Sequence, residues 1–266
     1  MHAQILSILP ADHPWRDRIR WFDCTDSTNT QAKLLAAAGA PHGTVLIADR
    51  QTGGRGRMGR SFQSPGGMGI YLSVILRPDC RADALMHLTC ATAVAMCDAV
   101  EQATQLRPGI KWTNDLVIGT KKLGGILTEL SVDPQTGNAD HAVIGIGLNC
   151  CQHLVDFSPE LQDMATSLSM ASGQPVGRAA MAAAMIQALY SMDCTLLSER
   201  AAMLDAYRRD CITLGKDVVI VRGDERRYAT AQDIAGDGAL IVTYADGTRE
   251  AVSSGEVSVR GMYGYV

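Results

Sequence analysis

The sequence predicts an α+β fold in two domains: a mixed, largely antiparallel sheet packed with helices, followed by a small C-terminal β-barrel. Strand-like and helix-like apolar segments alternate over roughly the first 210 residues. Three of these segments, between residues 109 and 150, are separated only by turns, which is typical of adjacent antiparallel strands. From Gly215 onward the segments are short and alternating. We therefore expect a large domain at residues 1–211 and a small β-barrel domain at residues 212–266.

Each element of the larger domain has a local sequence signal. The first helix begins at a capping residue among Asp26, Ser27 and Thr28 and ends at Gly39. Helical spacing of apolar residues predicts a long, mostly buried helix over 81–104 and helical structure over 177–210. Apolar runs predict strands at 43–49, 69–77, 109–118, 121–132 and 141–150. In the smaller domain, Asp246 and Gly247 indicate a hairpin turn.

The composition is that of an ordinary globular protein, and it argues against several classes of function. The 266 residues are 47% hydrophobic and 20% charged, with a formal net charge of −4. Because nucleic-acid binding requires a broad basic surface, we expect no DNA partner. No run approaches the roughly 18 apolar residues of a membrane span, and residues 1–16 contain neither a basic leader nor a cleavage site. We therefore expect no membrane association.

The eight cysteines indicate a reducing compartment. They form no C-x-x-C pair, and several lie within apolar runs. This pattern favours buried, reduced thiols in a cytoplasmic protein. Zinc binding and disulfides are the alternatives.

The segment GGRGRMGRSF, residues 53–62, suits neither a helix nor a strand. Its glycines cost too much backbone entropy, and its three arginines carry too much charge to be buried. Glycines let backbone N–H groups approach an anion closely, and guanidinium groups donate forked hydrogen bonds to carboxylate or phosphate. The segment therefore predicts a site for an anionic ligand, although a solvated loop would explain its charge alone.

Two motifs have the spacing of nucleotide-binding fingerprints but lack their structural context. GRGRMGRS, residues 54–61, has P-loop spacing with Arg60 in place of lysine, but the segment FQSPGGMG that follows cannot begin the required helix. GIGLNC, residues 145–150, has a cysteine where a dinucleotide fingerprint has its third glycine. Neither a P-loop nor a dinucleotide-binding fold is predicted.

Polar residues interrupt the apolar strands at three further places. Lys111, Asn114 and Asp115 lie at the end of one strand, Lys122 lies at the start of the next, and Asn149 ends the third. Each of these alone is typical of a surface turn or a capping group. Together, on neighbouring strand ends, they offer cations, amides and a carboxylate, which suit a nucleoside triphosphate and its metal.

Taken in order, these motifs resemble those of the biotin protein ligases. The chain has DSTN from residue 26, GRGRMGR from 54, KWTND from 111, KLGGILTE from 122 and GIGLN from 145. The similarity covers most of residues 21–150, and the small C-terminal domain is also similar to that of the family. Thr113 replaces the usual proline, which removes no catalytic group. About 20 residues precede Trp21, so the resemblance is to the monofunctional form without an N-terminal DNA-binding domain.

The resemblance implies both an architecture and a reaction. The larger domain would be class II synthetase-like and the barrel SH3-like. Biotin and ATP, with Mg²⁺ as cofactor, would give biotinyl-5′-AMP and pyrophosphate, and biotin would then pass to a lysine of a biotin carboxyl carrier protein. The Gly–Arg loop would fold over the ligand and exclude water from the mixed anhydride. An edge strand could also pair across a homodimer.

The same resemblance implies roles for particular residues. The catalytic residues would be Lys122, Arg57, Lys111 and Asp115, with Asp115 also a single Mg²⁺ ligand. Trp112 would contact the nucleotide, with core packing as its other interpretation. The implied biotin-binding residues are Ser27, Thr28, Asn29, Gln51, Gly54, Arg55, Gly56, Arg57, Lys122 and Gly125. The implied nucleotide-binding residues are Arg55, Arg57, Arg60, Lys111, Trp112, Asn114, Lys122 and Asn149.

Two other functions remain open from the sequence. A lipoate or octanoate ligase would share the scaffold and the reaction type. A pseudo-enzyme that retains only ligand binding is the second alternative, although the set of lysines and loop arginines argues against it.

Overall fold

The larger sheet confirms the predicted mixed, largely antiparallel arrangement. The computed structural model describes residues 1–253 and the strand at 258–261. Seven strands form this sheet: β1 (Ile19–Thr25), β2 (Thr44–Gln51), β3 (Gly69–Leu76), β4 (Gly109–Lys111), β5 (Asp115–Ile118), β6 (Lys121–Val132) and β7 (Ala139–Asn149). Their order is β1-β2-β3-β7-β6-β5-β4. The β1–β2 pair is parallel, and the other neighbouring pairs are antiparallel.

Two strands differ from the sequence-based expectation. Strand β1 was not predicted, because its exposed and half-buried positions do not alternate regularly. The segment 109–118, predicted as one strand, is a hairpin of β4 and β5 in which Lys111 pairs with Asp115. The intervening residues Trp112–Asn114 include neither glycine nor proline, so the turn has no local signal. Lys111 therefore ends one strand and Asp115 begins the next.

Helices cover both faces of this sheet. They are α1 (His2–Ile8), α2 (Thr28–Ala37), α3 (Leu88–Thr104), α4 (Leu168–Ser172), α5 (Arg178–Thr195) and α6 (Arg200–Asp210). Helices α1, α3, α5 and α6 contribute to the main core together with side chains such as Val74 and Ile144. Helix α2 packs Ala32 and Ala36 on the opposite face, where Ile75 is buried.

The helical segment predicted over 177–210 is divided into α5 and α6. The break at residues 196–199 contains no glycine or proline. Helix α5 packs against α1 and α3, whereas α6 packs against α3, β4 and strand Glu225–Ile234. We attribute the break to this tertiary packing, which overrides local propensity.

Helix α3 lies in the main core. The stretch Ala82–Thr104 is long and apolar enough to span a membrane by length and composition, with a mean hydropathy of 1.2, but 72% of that apolar window is buried within the protein. Cys90 and Cys97 on this helix are buried, whereas Cys24 and Cys194 are exposed. All eight cysteines are free, so the expectation of reduced thiols fits, but the expectation that they are buried holds only in part.

The C-terminal segment forms a second, small antiparallel sheet, which fits the predicted small C-terminal β-barrel. Its strands are β8 (Asp217–Arg222), β9 (Glu225–Ile234), β10 (Leu240–Tyr244), β11 (Arg249–Val252) and β12 (Ser258–Gly261). They lie in the order β11-β10-β9-β8-β12. Gly247 occupies the predicted hairpin turn with φ of 82°. Residues 254–257 and 262–266 of the predicted domain lie outside the described residues.

The two sheets meet at the β4–β5 hairpin. The backbone N–H of Trp112 donates to Thr213 Oγ1 at 2.9 Å, and its indole N–H donates to the carbonyl of Gly238 at 3.0 Å. The Tyr207 hydroxyl donates to the carbonyl of Thr113 at 3.1 Å. The hairpin turn is therefore held by both α6 and the β9–β10 turn.

Candidate functional site

A cavity of about 960 Å³ lies on the α2 face of the larger sheet. Its walls come from the N-terminus of α2, the Gly–Arg loop of residues 53–62, the β4–β5 hairpin and strands β6 and β7. The structure brings almost all of the predicted site residues to this one cavity. The two exceptions are Gly54 and Asn149, which do not line it.

The floor of the cavity is made of glycine backbone. Gly125 pairs with Gly147 across the β6–β7 ladder, and Leu127 pairs with Gly145. A Cβ atom at Gly147 would lie 2.6 Å from the Phe62 ring, and a Cβ atom at Gly145 would lie 2.0 Å from Asn29 Oδ1. The alternating glycines therefore admit Phe62 and Asn29 over the sheet and leave an open groove between apolar walls.

One end of the cavity is lined by small polar groups at the start of α2. Ser27 caps this helix, as predicted, and accepts a bond from the Thr30 N–H. Gln51 Oε1 accepts hydrogen bonds from both the backbone N–H and the hydroxyl of Thr28, at 2.8 and 3.1 Å. The Gln51 amide donates to Ser64 Oγ at 2.9 Å. These bonds hold the polar groups in fixed positions.

The hydroxyl of Ser73 supports this polar end from the sheet below. Ser73 Oγ lies 2.8 Å from Thr28 Oγ1 and 2.7 Å from Asn29 Oδ1. The Asn29 amide donates to Glu129 Oε2 at 3.0 Å. Since buried polar groups are costly unless they are bonded, this network is stable in one arrangement and can present its remaining donors and acceptors to a polar ligand.

The opposite end of the cavity contains an ion pair. Lys122 Nζ lies 2.6 Å from Asp115 Oδ1. Both side chains lie over Gly125, where an added Cβ atom would be 3.4 Å from each of these two atoms. The backbone of Lys122 is also fixed, because its N–H donates to Met164 and its carbonyl accepts from Thr166. The lysine therefore has a defined position beside the groove.

The Gly–Arg loop folds back on itself above this ion pair. Arg55 and Ser61 form an isolated antiparallel bridge, and the Phe62 N–H donates to the Gly54 carbonyl at 2.9 Å. Gly54 does not line the cavity, and a Cβ atom there would lie 2.4 Å from the Phe62 carbonyl. Gly54 is therefore required for the base of the loop to close.

Arg57 connects the loop to the β4–β5 hairpin. Its Nη1 donates to Asn114 Oδ1 at 3.0 Å, and the Asn114 amide in turn donates to the carbonyl of Ile126 at 2.9 Å. Burial lowers the pKa of Arg57 from its usual value, and the nearby charge of Asp115 opposes this shift. Arginine remains protonated at any pH relevant to a cell, so a half-buried cation faces the cavity.

The cavity is strongly cationic although the whole chain is acidic. Five basic and two acidic side chains line it: Arg55, Arg57, Arg60, Lys111, Lys122, Asp115 and Asp163. In a partly enclosed site such charges interact more strongly than in water. The loop end of the cavity can therefore hold two anionic groups that would otherwise repel each other.

Of the two predicted nucleotide contacts Trp112 and Asn149, only Trp112 lines the cavity. Trp112 lines the cavity, but it is also only 5% exposed and bonded to the smaller sheet, so both interpretations of this residue have support. Asn149 is buried, its amide donates to the Thr166 carbonyl, and its Oδ1 accepts from Gln152. The structure therefore gives no support to an Asn149 contact with adenine, because the amide faces protein groups instead.

Several cavity residues were not predicted from the sequence. Gly145 and Gly147 had a usable signal, because two glycines at alternate positions of a buried strand indicate close approach. Phe62 lies two residues after Arg60 and gives no signal of its own. Leu161, Asp163 and Met164 come from an irregular segment that no motif identified.

The residues offer little for a metal ion by themselves. The part of the chain that the structure describes contains no group of three or more His, Cys, Asp or Glu side chains that could hold one. Asp115, the predicted Mg²⁺ ligand, is paired with Lys122. Mg²⁺ typically keeps several waters and takes one or two carboxylates plus substrate phosphates. The donors present therefore fit only a magnesium ion that is bound mainly by its substrate.

Comparisons with known proteins agree with the motifs. Residues 21–149 match the Biotin/lipoate A/B protein ligase family, and residues 213–260 match the Biotin protein ligase C terminal domain. The Bifunctional ligase/repressor BirA of Bacillus spizizenii is 45% identical over 157 residues, which are 59% of this chain and 48% of that protein. The chain thus spans about half the length of this relative.

Two further similarities extend over most of the chain. The Biotin--[acetyl-CoA-carboxylase] ligase of Mycobacterium tuberculosis is 32% identical over 239 residues, which are 88% of this chain and 85% of that protein. The structure of the biotin protein ligase from Aquifex aeolicus in complex with biotin and ATP superposes with a TM-score of 0.78 at 26% identity, covering 91% of this chain and 98% of that chain. The chain belongs to the biotin protein ligase family.

Proposed function

We propose that the protein activates biotin with ATP to biotinyl-5′-AMP and then transfers biotin to a lysine of a carrier protein. The observation that carries this proposal is the polarity of one cavity: a fixed, neutral polar end, an apolar groove and a cationic end. Biotin has a neutral, hydrogen-bonding ureido ring, an aliphatic chain and a carboxylate, in the same order. The related ligase of Aquifex aeolicus, which has been solved with biotin and ATP, supports the same assignment.

The polar end would bind the ureido ring. Thr28 and Gln51 are held by mutual hydrogen bonds, so they lose little entropy when a ligand binds. Ser27 and Asn29 line the same end. A ligand that lacks donors and acceptors there covers these groups and leaves their remaining hydrogen-bonding capacity unused, which is costly.

The cationic end would carry the first step. A carboxylate oxygen of biotin attacks the α-phosphorus of ATP, and the bond to pyrophosphate breaks. Lys122 and Arg57 would neutralise the two anions as they approach, because their positive charges lie at the same end of the groove. Arg55 and Arg60 would contact the phosphates from the loop, and Lys111 and Asn114 from the hairpin. A magnesium ion, if bound with the triphosphate, would supply further charge neutralisation, with Asp115 as its protein carboxylate.

The second step would use the same cavity. The uncharged amine of a carrier lysine attacks the carbonyl carbon of the adenylate, the bond to the phosphate oxygen breaks, AMP leaves with the electron pair, and the nitrogen releases a proton to solvent. The loop would keep water away from the mixed anhydride between the steps, because water would hydrolyse it. The protein that supplies this acceptor lysine would be a biotin carboxyl carrier protein. The free state of all eight cysteines is consistent with a cytoplasmic setting.

A pyrophosphate-release assay with biotin, lipoate and octanoate in parallel tests the proposal. We expect release with biotin and little with the other two acids, because neither offers a partner to the polar end. Biotin should also raise the melting temperature more than lipoate, since a ligand that binds only the native state stabilises it. Equal turnover of lipoate would favour the lipoate ligase alternative. Biotin binding without any pyrophosphate release would indicate a pseudo-enzyme.

A further inference from the structure

The cavity contains one carboxylate that the proposed chemistry leaves without a role. Of the two acidic residues that line it, Asp115 is paired with Lys122. The other, Asp163, is exposed at the cavity wall. Within the described residues its carboxylate takes part in no salt bridge or side-chain hydrogen bond. A carboxylate beside five basic side chains would ordinarily be drawn into a pair, so its separate position calls for an explanation.

The backbone around Asp163 is anchored to the strand that carries Lys122. The Lys122 N–H donates to the Met164 carbonyl at 2.7 Å, and the Thr166 N–H donates to the Lys122 carbonyl at 2.8 Å. Lys121 Nζ donates to the Gln162 carbonyl at 3.1 Å. These bonds lie on both sides of residue 163. The position of Asp163 relative to the reacting end is therefore set by the fold and does not depend on a flexible loop.

The second substrate, a lysine side chain, is a group that the Asp163 carboxylate could bind. A lysine side chain carries a positive charge near neutral pH, because its usual pKa is about 10.4. Entry of a cation into a cavity lined by five basic groups is unfavourable, even after an adenylate contributes one negative charge. A fixed carboxylate on the wall lowers this barrier and holds the incoming ammonium group close to the groove.

We propose that Asp163 binds the ammonium group of the acceptor lysine and so determines that the second substrate is a lysine on a protein. This inference rests on the proposed function, and it concerns the second step alone. The ammonium group is held by Asp163 and then loses a proton to solvent. The nitrogen forms its bond to the biotinyl carbonyl carbon while the carbon–oxygen bond to AMP breaks, the electron pair leaves with the AMP phosphate, and the nitrogen loses its second proton to solvent. Asp163 contacts the substrate and takes no part in the chemistry of the first step.

The test is Asp163→Asn, measured separately in the two steps. Pyrophosphate release with biotin and ATP should stay within about twofold of the unmutated protein. Transfer to a biotin carboxyl carrier protein should show a rise in KM for the carrier, with kcat/KM lower by about 5- to 30-fold. The difference in kcat/KM between Asp163→Asn and the unmutated protein should become smaller as salt is added, because an exposed charge pair is screened. Asp163→Glu should restore part of the activity, since the charge is kept.

A neutral nucleophile provides a second, independent readout. Hydroxylamine is uncharged near neutral pH and attacks the same carbonyl carbon to give a hydroxamate, so Asp163→Asn should leave its rate unchanged. Glu160→Gln is the matched control, because Glu160 is exposed on the same segment but does not line the cavity. It should leave both steps unchanged.

Three results would overturn the inference while leaving the proposed function standing. They are an unchanged KM for the carrier in Asp163→Asn, an equal loss in Glu160→Gln, or an equal loss in the hydroxylamine reaction. A first step slowed as much as the second would instead place Asp163 at the nucleotide. Absence of pyrophosphate release from the unmutated protein would contradict the proposed function itself.

Discussion

The two ends of the cavity are built on different principles. At the polar end, Ser27, Thr28 and Asn29 are at most 4% exposed. Ser73 links Thr28 to Asn29, Gln51 accepts from Thr28, and Ser27 accepts from the Thr30 N–H. At the cationic end, Arg55 and Arg60 are exposed, and the loop that carries them closes through a few backbone bonds. The difference fits the proposed function, in which a fixed surface would recognise the head group of the ligand and the loop would enclose the reacting groups.

This comparison predicts different consequences for substitutions at each end. Loss of a group at the cationic end should impair rates and retention of the intermediate with little effect on folding. Loss at the polar end should impair ligand affinity and stability together, because each group there supports its neighbours.

The largest effect is expected for Lys122→Ala. This change removes a cation from the place where two anions must meet, so we expect adenylate formation to slow by at least about a hundredfold, comparable to the loss of one oxyanion-stabilising donor. Single-turnover measurement of biotinyl-AMP tests this. Lys121→Ala is the matched control, because Lys121 is adjacent but absent from the cavity wall. Similar rates for the two variants would show that Lys122 has no catalytic role.

A smaller, kinetic effect is expected for Arg57→Gly. Adenylate should still form, but one charge-assisted hydrogen bond to its phosphate is lost, which is about 1.5–3 kcal/mol. If that loss acts on the off-rate, dissociation becomes about 10- to 150-fold faster. The freed anhydride should then label lysines of serum albumin added to the reaction, which a biotin blot detects. The adenylate should dissociate from Arg57→Lys at a rate between those of the unmutated protein and Arg57→Gly, because lysine keeps the charge without the forked donors.

Labelling of albumin by Arg57→Gly no greater than with the unmutated protein, while adenylate is still made, would falsify the retention role. The present contact of Arg57 with Asn114 would then be its main function.

The smallest effect is expected at the polar end, for Gly145→Ala. The added methyl group would lie 2.0 Å from Asn29 Oδ1, so Asn29 must move and its bond to Ser73 is lost. Overpacking of this kind lowers the free energy of unfolding by about 1–3 kcal/mol. Urea denaturation should show this loss, and a titration should show weaker biotin binding. Gly236→Ala is the control, because nothing lies within 4 Å of an added Cβ atom there.

Biotin binding weakened in Gly145→Ala without any loss of stability would contradict the coupling proposed for this end. It would mean that the polar groups move independently of one another.

The sequence predicted the strands and the charged or polar cavity residues better than it predicted the turns and the residues that support the cavity, such as Ser73. Strand β6 matches its predicted range, because its apolar run is long and bounded by polar turns. The β4–β5 turn was missed, since Trp112 and Thr113 are fixed by tertiary bonds to Thr213, Gly238 and Tyr207 that no local pattern encodes. Asn114 is held in the same way by Arg57 and the Ile126 carbonyl.

The same distinction applies to the candidate site. Motif residues were found because their side chains carry charge or hydrogen bonds in unusual places. Ser73 and Phe62 were missed because a serine in a strand and a phenylalanine after a loop have many ordinary explanations. Asn149 shows the converse case: its place at the end of an apolar strand suggested a ligand contact, but the folded chain provides its partners internally.

The hydrogen bond between the Trp112 indole and the Gly238 carbonyl lies where a separation of the two sheets can be detected chemically. Gly238 has φ of +87°, and a Cβ atom there would lie 2.9 Å from Cys90 Sγ, so the β9–β10 turn covers this thiol. Burial raises the pKa of Cys90 to about 12, which keeps it protonated and unreactive while the turn is in place. Any separation of the smaller sheet from the hairpin uncovers Cys90 and breaks the indole bond at once. The opening can therefore be followed by the rate at which an alkylating reagent labels Cys90, measured separately from the exposed Cys24 and Cys194.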